Sequence, residues 1–317
     1  MKFGIVGTGV MGERHARVVN SIKDCELVGV ADIDIAKAGK VAQAEGCKAF
    51  DSSEKLLDLV DAVIVAVPTK AHAAVVIPFL ERGIPVLVEK PISDNLEDAQ
   101  KMINAAKDNG TIAMVGHIER FNPIVMELKK ILNGERILQI EAKRYGPWLG
   151  RDMGMDVVLD LMIHDIDVIR VLTDGTPTDI KSMGGKKGGY YDYATALLKI
   201  KDTNCILSAN IITQGKFRKI DLTTDSRFIR GDYIEQNIEI YRKSFPSFVV
   251  EEEGMQYKQE HVMEKVEIYK KEPLRLELQH FADCIREKKT PAITLEDGFT
   301  NLKIGLEIIE EMKRFHR

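Results

Sequence analysis

The chain has few cysteines, a single tryptophan and no excess of charge of one sign: 317 residues carry four cysteines, 45 lysines and arginines, and 49 acidic residues. Cys25, Cys47, Cys205 and Cys284 lie far apart and form no C-x-x-C pair, which argues for buried thiols in a reducing cytosol and against a zinc site. The net charge of −4, with basic residues scattered, argues against nucleic acid as a partner. No apolar run reaches membrane-spanning length. The opening "MKFGIVGTGVMGERH" is broken by glycines and reads as a strand and turn rather than a signal peptide. Repeats and low-complexity tracts are also missing. What is there is an ordinary globular mix, 44% hydrophobic and 30% charged, long enough for two cores in a cytoplasmic protein.

Residues 1–118 alternate short β-branched runs (2–6, 26–31, 62–67, 84–89, 111–116) with amphipathic stretches (35–45, 70–82, 95–109). Fully apolar strands separated by helices predict an α/β, doubly wound parallel sheet of the Rossmann type. Residues 119–317 change rhythm. A helix at 122–132 and a strand at 136–145 precede a helix around 158–172. Alternating runs follow at 190–200, 205–213, 217–224 and 233–242. Asp202-Thr203-Asn204 reads as a hairpin turn, and Gly184, Gly185, Gly188 and Gly189 punctuate another. This half predicts an α+β domain: an open-faced, mostly antiparallel sheet with helices on one side. Helices at 275–288 and 295–315 close the chain. Thr294 and Asp297 are placed for a capping box, and the last helix is a candidate to pack back on the first domain.

"GTGVMG" places Gly7, Gly9 and Gly12 in G-x-G-x-x-G spacing after the first strand, with Thr8, Val10 and Met11 between them. Such a turn lets backbone N–H groups approach a pyrophosphate at a helix N-terminus. Asp32 ends the second strand, where a carboxylate accepts ribose hydroxyls and repels a 2′-phosphate, favouring NAD over NADP. Pro68 and Thr69 should line the cofactor trough at the end of the strand over 62–67. His72 stands at its margin, in the first turn of the next helix.

Glu89 and Lys90 end the fifth strand on the same edge, and Pro91 confines Lys90 to extended geometry. Lys90 is thus placed to hydrogen-bond a substrate hydroxyl; the plainer alternative is a surface lysine paired with Glu89. In "VLDLMIHDIDVIRVL", Asp160, His164 and Asp167 fall within about 60° of one another on an α-helix whose remaining faces are apolar. Asp160 can orient His164 from i, i+4, which suits a proton carrier. A structural Asp–His pair and a metal site are the competing readings, and no metal is expected.

These residues resemble the Gfo/Idh/MocA family of sugar and polyol dehydrogenases: "GIVGTGVMG", the "EKP" of Glu89-Lys90-Pro91, "ERFNP" at 119–123 and the Asp-x-x-x-His of Asp160 and His164. The resemblance implies hydride exchange between a carbinol carbon and nicotinamide, with Lys90, Asp160 and His164 as catalytic residues. It also admits a cis Lys90–Pro91 bond and implies a homodimer or homotetramer built through the C-terminal sheet. Many members carry glycines around the aspartate where this chain has Val157, Val158 and Met162, which points away from a simple polyol or free glucose. The segment 144–167 resembles the branch acting on nucleotide-linked amino sugars, notably UDP-N-acetylglucosamine at C3. Arg120, Arg144 and Arg151 are then candidates for a diphosphate, Tyr145 and Trp148 for stacking on a ring, and Asn122 for a further substrate contact. An inositol or free-sugar dehydrogenase and a non-catalytic NAD-binding sensor remain the alternatives.

Overall fold

A computed structural model describes residues 1–148, 154–242, 247–251, 254–258 and 262–315. Along the chain come β1 (Lys2–Val6), α1 (Val10–Val19), β2 (Glu26–Ala31), α2 (Ile35–Glu45), β3 (Lys48–Phe50), β4 (Ala62–Val65), α3 (His72–Glu81), β5 (Val86–Glu89), α4 (Leu96–Asp108) and β6 (Ala113–Gly116). Next are α5 (Pro123–Ile131), β7 (Ile137–Tyr145) and α6 (Ile163–Thr173), followed by β8 (Asp179–Lys186), β9 (Tyr191–Ile200), β10 (Thr203–Asn210), β11 (Phe217–Thr224), β12 (Arg227–Asp232) and β13 (Asn237–Arg242). The series ends with β14 (Ser247–Glu251), β15 (Gly254–Lys258), β16 (Val262–Val266), α7 (Pro273–Glu287) and α8 (Leu295–Phe315). The chain divides into two compact units, Met1–Phe121 with Lys271–Leu306, and Asn122–Lys270 with Glu307–Arg317.

In the first unit six parallel strands run in the order β3-β2-β1-β4-β5-β6. That order reverses direction between β1 and β4, where open α/β sheets bind ligands at the strands' carboxyl ends. β4, β5 and β6 are buried at every position, as helix cover on both faces requires. The segment Lys271–Leu306 belongs here because its apolar and amide groups find partners in this unit. Phe281 meets Phe3 edge to face, Asn301 Nδ2 lies 3.2 Å from His117 Nε2, and Gly298 leaves room for Val115. Thr294 and Asp297 form the capping box, each backbone N–H donating to the other's side chain at 3.2 Å.

The second unit holds an eight-stranded sheet, β16-β13-β12-β11-β7-β10-β9-β8, antiparallel except for the parallel β7–β10 pair. Alternate residues of β7, β9, β10 and β11 are buried, with α6 packed against β7 and β10. Several details depart from the sequence reading. Gly184 and Gly185 lie inside β8 rather than in a turn, because a Cβ there would collide with Met312, Tyr193 and the neighbouring backbone. The run 233–242 is a turn followed by β13, with Gln236 at φ 50°, and β12 precedes it unforeseen. The β9–β10 loop is Lys201-Asp202, since Thr203 already pairs with Ile200 and Lys201 takes φ 51°. Among the cysteines Cys205 and Cys284 are buried while Cys25 and Cys47 are half-buried, and burial pushes Cys205 up to about 12. Among the described residues no helix is long and apolar enough to cross a membrane.

Candidate functional site

In the first unit the glycine turn joins β1 to α1. Gly7 takes φ 92° and abuts the backbone of Ala66, so the loops after β1 and β4 touch at the switch point. A Cβ at Gly12 would overlap the Gly7 carbonyl, whereas around Gly9 there is open space. No side chain caps α1 at Gly9, leaving its first turn of N–H groups directed outward, as an anion site requires. Thr8 is buried and donates from both N and Oγ1 to Asp32 Oδ2, at 2.7 and 2.8 Å; Asp34 N donates to Oδ1 at 2.9 Å. Burial pushes the Asp32 carboxyl upward, but these donors outweigh it and hold it below its ordinary range. A fixed carboxylate, a glycine-only turn and an uncapped helix fit the ribose and pyrophosphate of a dinucleotide.

Val10 is 56% exposed at the mouth of this turn and Met11 is half-buried. Pro68 is exposed and Thr69 half-buried after β4. His72 is buried, with Nδ1 3.1 Å from Ile92 O and Nε2 3.0 Å from Val67 O. Both ring nitrogens thus fasten loops together, and burial lowers its pKa against the pull of those carbonyls. Its position ties the cofactor edge together from behind instead of facing a ligand.

Lys90 is half-buried at the carboxyl end of β5, the edge shared with the glycine turn, and its peptide bond to Pro91 is cis. Beneath it Glu89 is buried, with Oε1 2.7 Å from His15 Nε2 and Oε2 accepting from Lys90 N at 3.2 Å. Burial raises the Glu89 carboxyl, but His15 and Lys90 more than offset it and keep it low. Glu277 of α7 is buried too, and among the described residues neither of its oxygens has a hydrogen-bond partner. Burial, followed by the charge of Glu89, lifts its carboxyl well above the usual range. Arg120 also belongs to the first unit, where it donates to Ala292 O at 2.6 Å and Asp297 Oδ2 at 3.2 Å.

In the second unit Asn122 caps α5, accepting from Ile124 N and donating to Tyr233 O, each at 3.2 Å. That geometry makes it a structural amide. Arg144, 1% exposed, forks onto Asp165 through Nε at 3.0 Å and Nη2 at 2.8 Å, and its guanidinium lies 5.1 Å from the Tyr233 ring centre. Asp160 sits not in an α-helix but in a π-helical turn, Val158–Met162, closed by Ile163 N–H to Val158 O. The wider turn replaces the 100° spacing assumed from sequence. α6 then carries His164, Asp165 and Asp167, all buried. Asp160 is half-buried and lines a cavity of about 280 Å³ with Tyr145, Trp148, Arg144, Lys216 and Arg218. Arg151 lies outside the described residues. Among those described, no group of three or more His, Cys, Asp or Glu is placed to hold a metal ion.

Four residues escaped the sequence reading. Lys216, directly before β11, and Arg218, within it, were signalled by the cluster of basic residues in "KFRKI". Ile33, 99% exposed directly after Asp32, offers an apolar plate beside the carboxylate. His15 gave no signal, because its partnership with Glu89 spans 74 residues.

Residues 1–117 match the profile of an oxidoreductase family with an NAD-binding Rossmann fold, and residues 136–240 match the GFO/IDH/MocA C-terminal domain. UDP-N-acetylglucosamine 3-dehydrogenase of Acidithiobacillus ferrooxidans is 31% identical over 245 residues, 77% of this chain and 77% of that protein. Its solved structure superposes with a TM-score of 0.90 at 27% identity, covering 100% of this chain and 99% of that one. The scyllo-inositol 2-dehydrogenase (NAD(+)) of Bacillus subtilis is 27% identical over 330 residues, 96% of this chain and 92% of that protein.

Proposed function

Because the chain belongs to the Gfo/Idh/MocA family of NAD-binding oxidoreductases, we propose that it oxidises a ring hydroxyl of a nucleotide sugar, with UDP-N-acetylglucosamine at C3 as the best-fitting substrate. The observation that carries this reading is the wall on which Asp160 sits. Asp160 shares its cavity with an exposed tryptophan and three cationic side chains, a lining an uncharged polyol does not need. The similarity to the Acidithiobacillus enzyme supports the same choice.

NAD, when bound, supplies the acceptor for the hydride that leaves the carbinol carbon. The first turn of α1 would hold the pyrophosphate by its backbone N–H groups, Asp32 would accept from the ribose, and Ile33 would offer an apolar contact beside it. Pro68 and Thr69 wall the trough. Lys90 donates a hydrogen bond to the substrate oxygen, stabilising the negative charge that grows there as the hydroxyl proton leaves. His164 accepts the hydroxyl proton and Asp160 orients the exchange, a contribution of about a hundred- to ten-thousand-fold for well-placed acid–base groups.

A second reading, an inositol or free-sugar dehydrogenase, is favoured by the near full-length match to the Bacillus enzyme. One assay separates the readings: purified protein with NAD and, in turn, UDP-sugars, inositols and free hexoses, followed by absorbance of the reduced cofactor. Reduction with UDP-N-acetylglucosamine is expected. Turnover of myo-inositol without any UDP-sugar overturns the substrate, and turnover of nothing would leave an NAD-binding sensor.

The assembly proposed is a homo-oligomer through the second unit's sheet. Its outer face exposes Met183, Tyr193, Leu197 and Phe217, each between 44% and 60%, an apolar face a second sheet could cover. Light scattering of the purified protein tests this.

A further inference from the structure

The cavity beside Asp160 lies wholly within the second unit, and three cationic side chains, Arg144, Lys216 and Arg218, line it. Strand register sharpens the point. β11 and β7 are antiparallel, and Arg218 stands directly opposite Arg144. Like charges at such a cross-strand position disfavour the pairing. The Arg144 charge is answered from below by Asp165, which takes both its fork nitrogens within a buried pair. Lys216, exposed, stands immediately before β11, and Arg218, half-buried, is that strand's second residue; both line the cavity. Two cations on one cavity wall, one of them a guanidinium fork, suit a group with two adjacent negative centres. Trp148, 49% exposed on the same cavity, presents an aromatic surface next to them.

We propose that Lys216 and Arg218 hold the diphosphate of a nucleoside-diphosphate sugar and that Trp148 stacks on its base, with the sugar directed to Asp160. This rests on the nucleotide-sugar reading above and adds to it the residues that set its specificity. They join Arg120, Arg144 and Arg151, the diphosphate candidates that the resemblance suggested, of which Arg120 meets Asp297 and Arg144 meets Asp165. A cavity of about 280 Å³ takes a diphosphate and a sugar ring while leaving the base against the exposed indole.

Trp148 is the chain's one tryptophan, so its fluorescence reports this site alone. The experiment titrates UDP, uridine and inorganic phosphate into the full-length protein and its Lys216→Gln, Arg218→Gln and Arg218→Lys variants. Thermal melting confirms that each variant is folded. Saturable quenching by UDP is expected in the wild type. Each glutamine variant should weaken UDP by about ten- to a hundredfold while leaving the weaker uridine response unchanged, as loss of a charge-assisted contact predicts. Arg218→Lys should recover only part of the affinity, because it restores charge without the fork. With UDP-N-acetylglucosamine as substrate, KM should rise in both glutamine variants with kcat nearly constant.

UDP affinity unchanged in the glutamine variants, or no UDP response in the wild type, overturns the assignment. If UDP-N-acetylglucosamine is turned over with unaltered KM in these variants, the clamp is refuted while the substrate stands. If UDP binding depends on both side chains but only another UDP-sugar is oxidised, the clamp holds and the sugar assignment fails.

Discussion

His15 Nε2 lies 2.7 Å from Glu89 Oε1, joining the helix that follows the glycine turn to the strand that ends in Lys90. Both side chains are buried, and the same carboxylate holds the Lys90 backbone N–H. Glu277, buried against this carboxylate, has its pKa raised well above an ordinary glutamate's. An acid whose folded pKa is raised binds its proton more tightly in the native state, so stability is lost as pH climbs from the unfolded value toward the folded one. The slope is about 1.4 kcal/mol per pH unit across that window. Glu277→Gln should therefore gain stability relative to wild type as pH rises above the ordinary glutamate range, and match it in acid. Denaturant melts at a series of pH values check this; parallel curves would refute it.

The second and third glycines of the turn should differ in what their substitution does to folding. Gly12→Ala forces a methyl into the Gly7 carbonyl and should lower the melting temperature and abolish NADH binding. Gly9→Ala meets open space, so folding should persist while NADH fluorescence titration shows weakened binding.

Asp32→Ala removes a ribose acceptor and a charge that repels a 2′-phosphate. NADH affinity should fall about tenfold, the worth of a charged hydrogen bond, and preference should move toward NADPH. The ratio of the two dissociation constants is the measurement.

His164→Asn should cut kcat by about a hundred- to ten-thousand-fold and leave NADH binding intact. An equal loss of NADH affinity would make the residue structural instead.

Arg144→Met removes the guanidinium fork from the buried Asp165 carboxylate and should cost about 3–5 kcal/mol in denaturant unfolding; Arg144→Met combined with Asp165→Leu should recover most of it. A double variant no better than the single would mean the fork contributes little.

The parallel sheet was legible because its strands carry nearly continuous apolar runs, a pattern that burial on two faces produces. The capping box at Thr294 was equally plain. The second unit was harder. Glycines in β8 mimic a turn unless the side chains opposite them are known, and "YIEQNIEIYR" hides a turn at Gln236 within an alternating run. For the site, residue types were readable and commitments were not. Nothing in the spacing of Arg120, Arg144 and Asn122 reveals that Asp297, Asp165 and a helix N-terminus claim them. The π turn at Asp160 is similarly a product of packing, with no local marker in "VVLDLM".

β7 and β10 are the sheet's one parallel pair, and parallel neighbours cannot be joined by a tight turn. The polypeptide must travel back over the helix-covered side before it can rejoin, and the stretch making that return trip carries Asp160 and His164. Sequence drift in the helical part of this detour leaves the β7–β10 bonds untouched. A scaffold wired in this way can change what surrounds Asp160 and His164 without rebuilding its sheet.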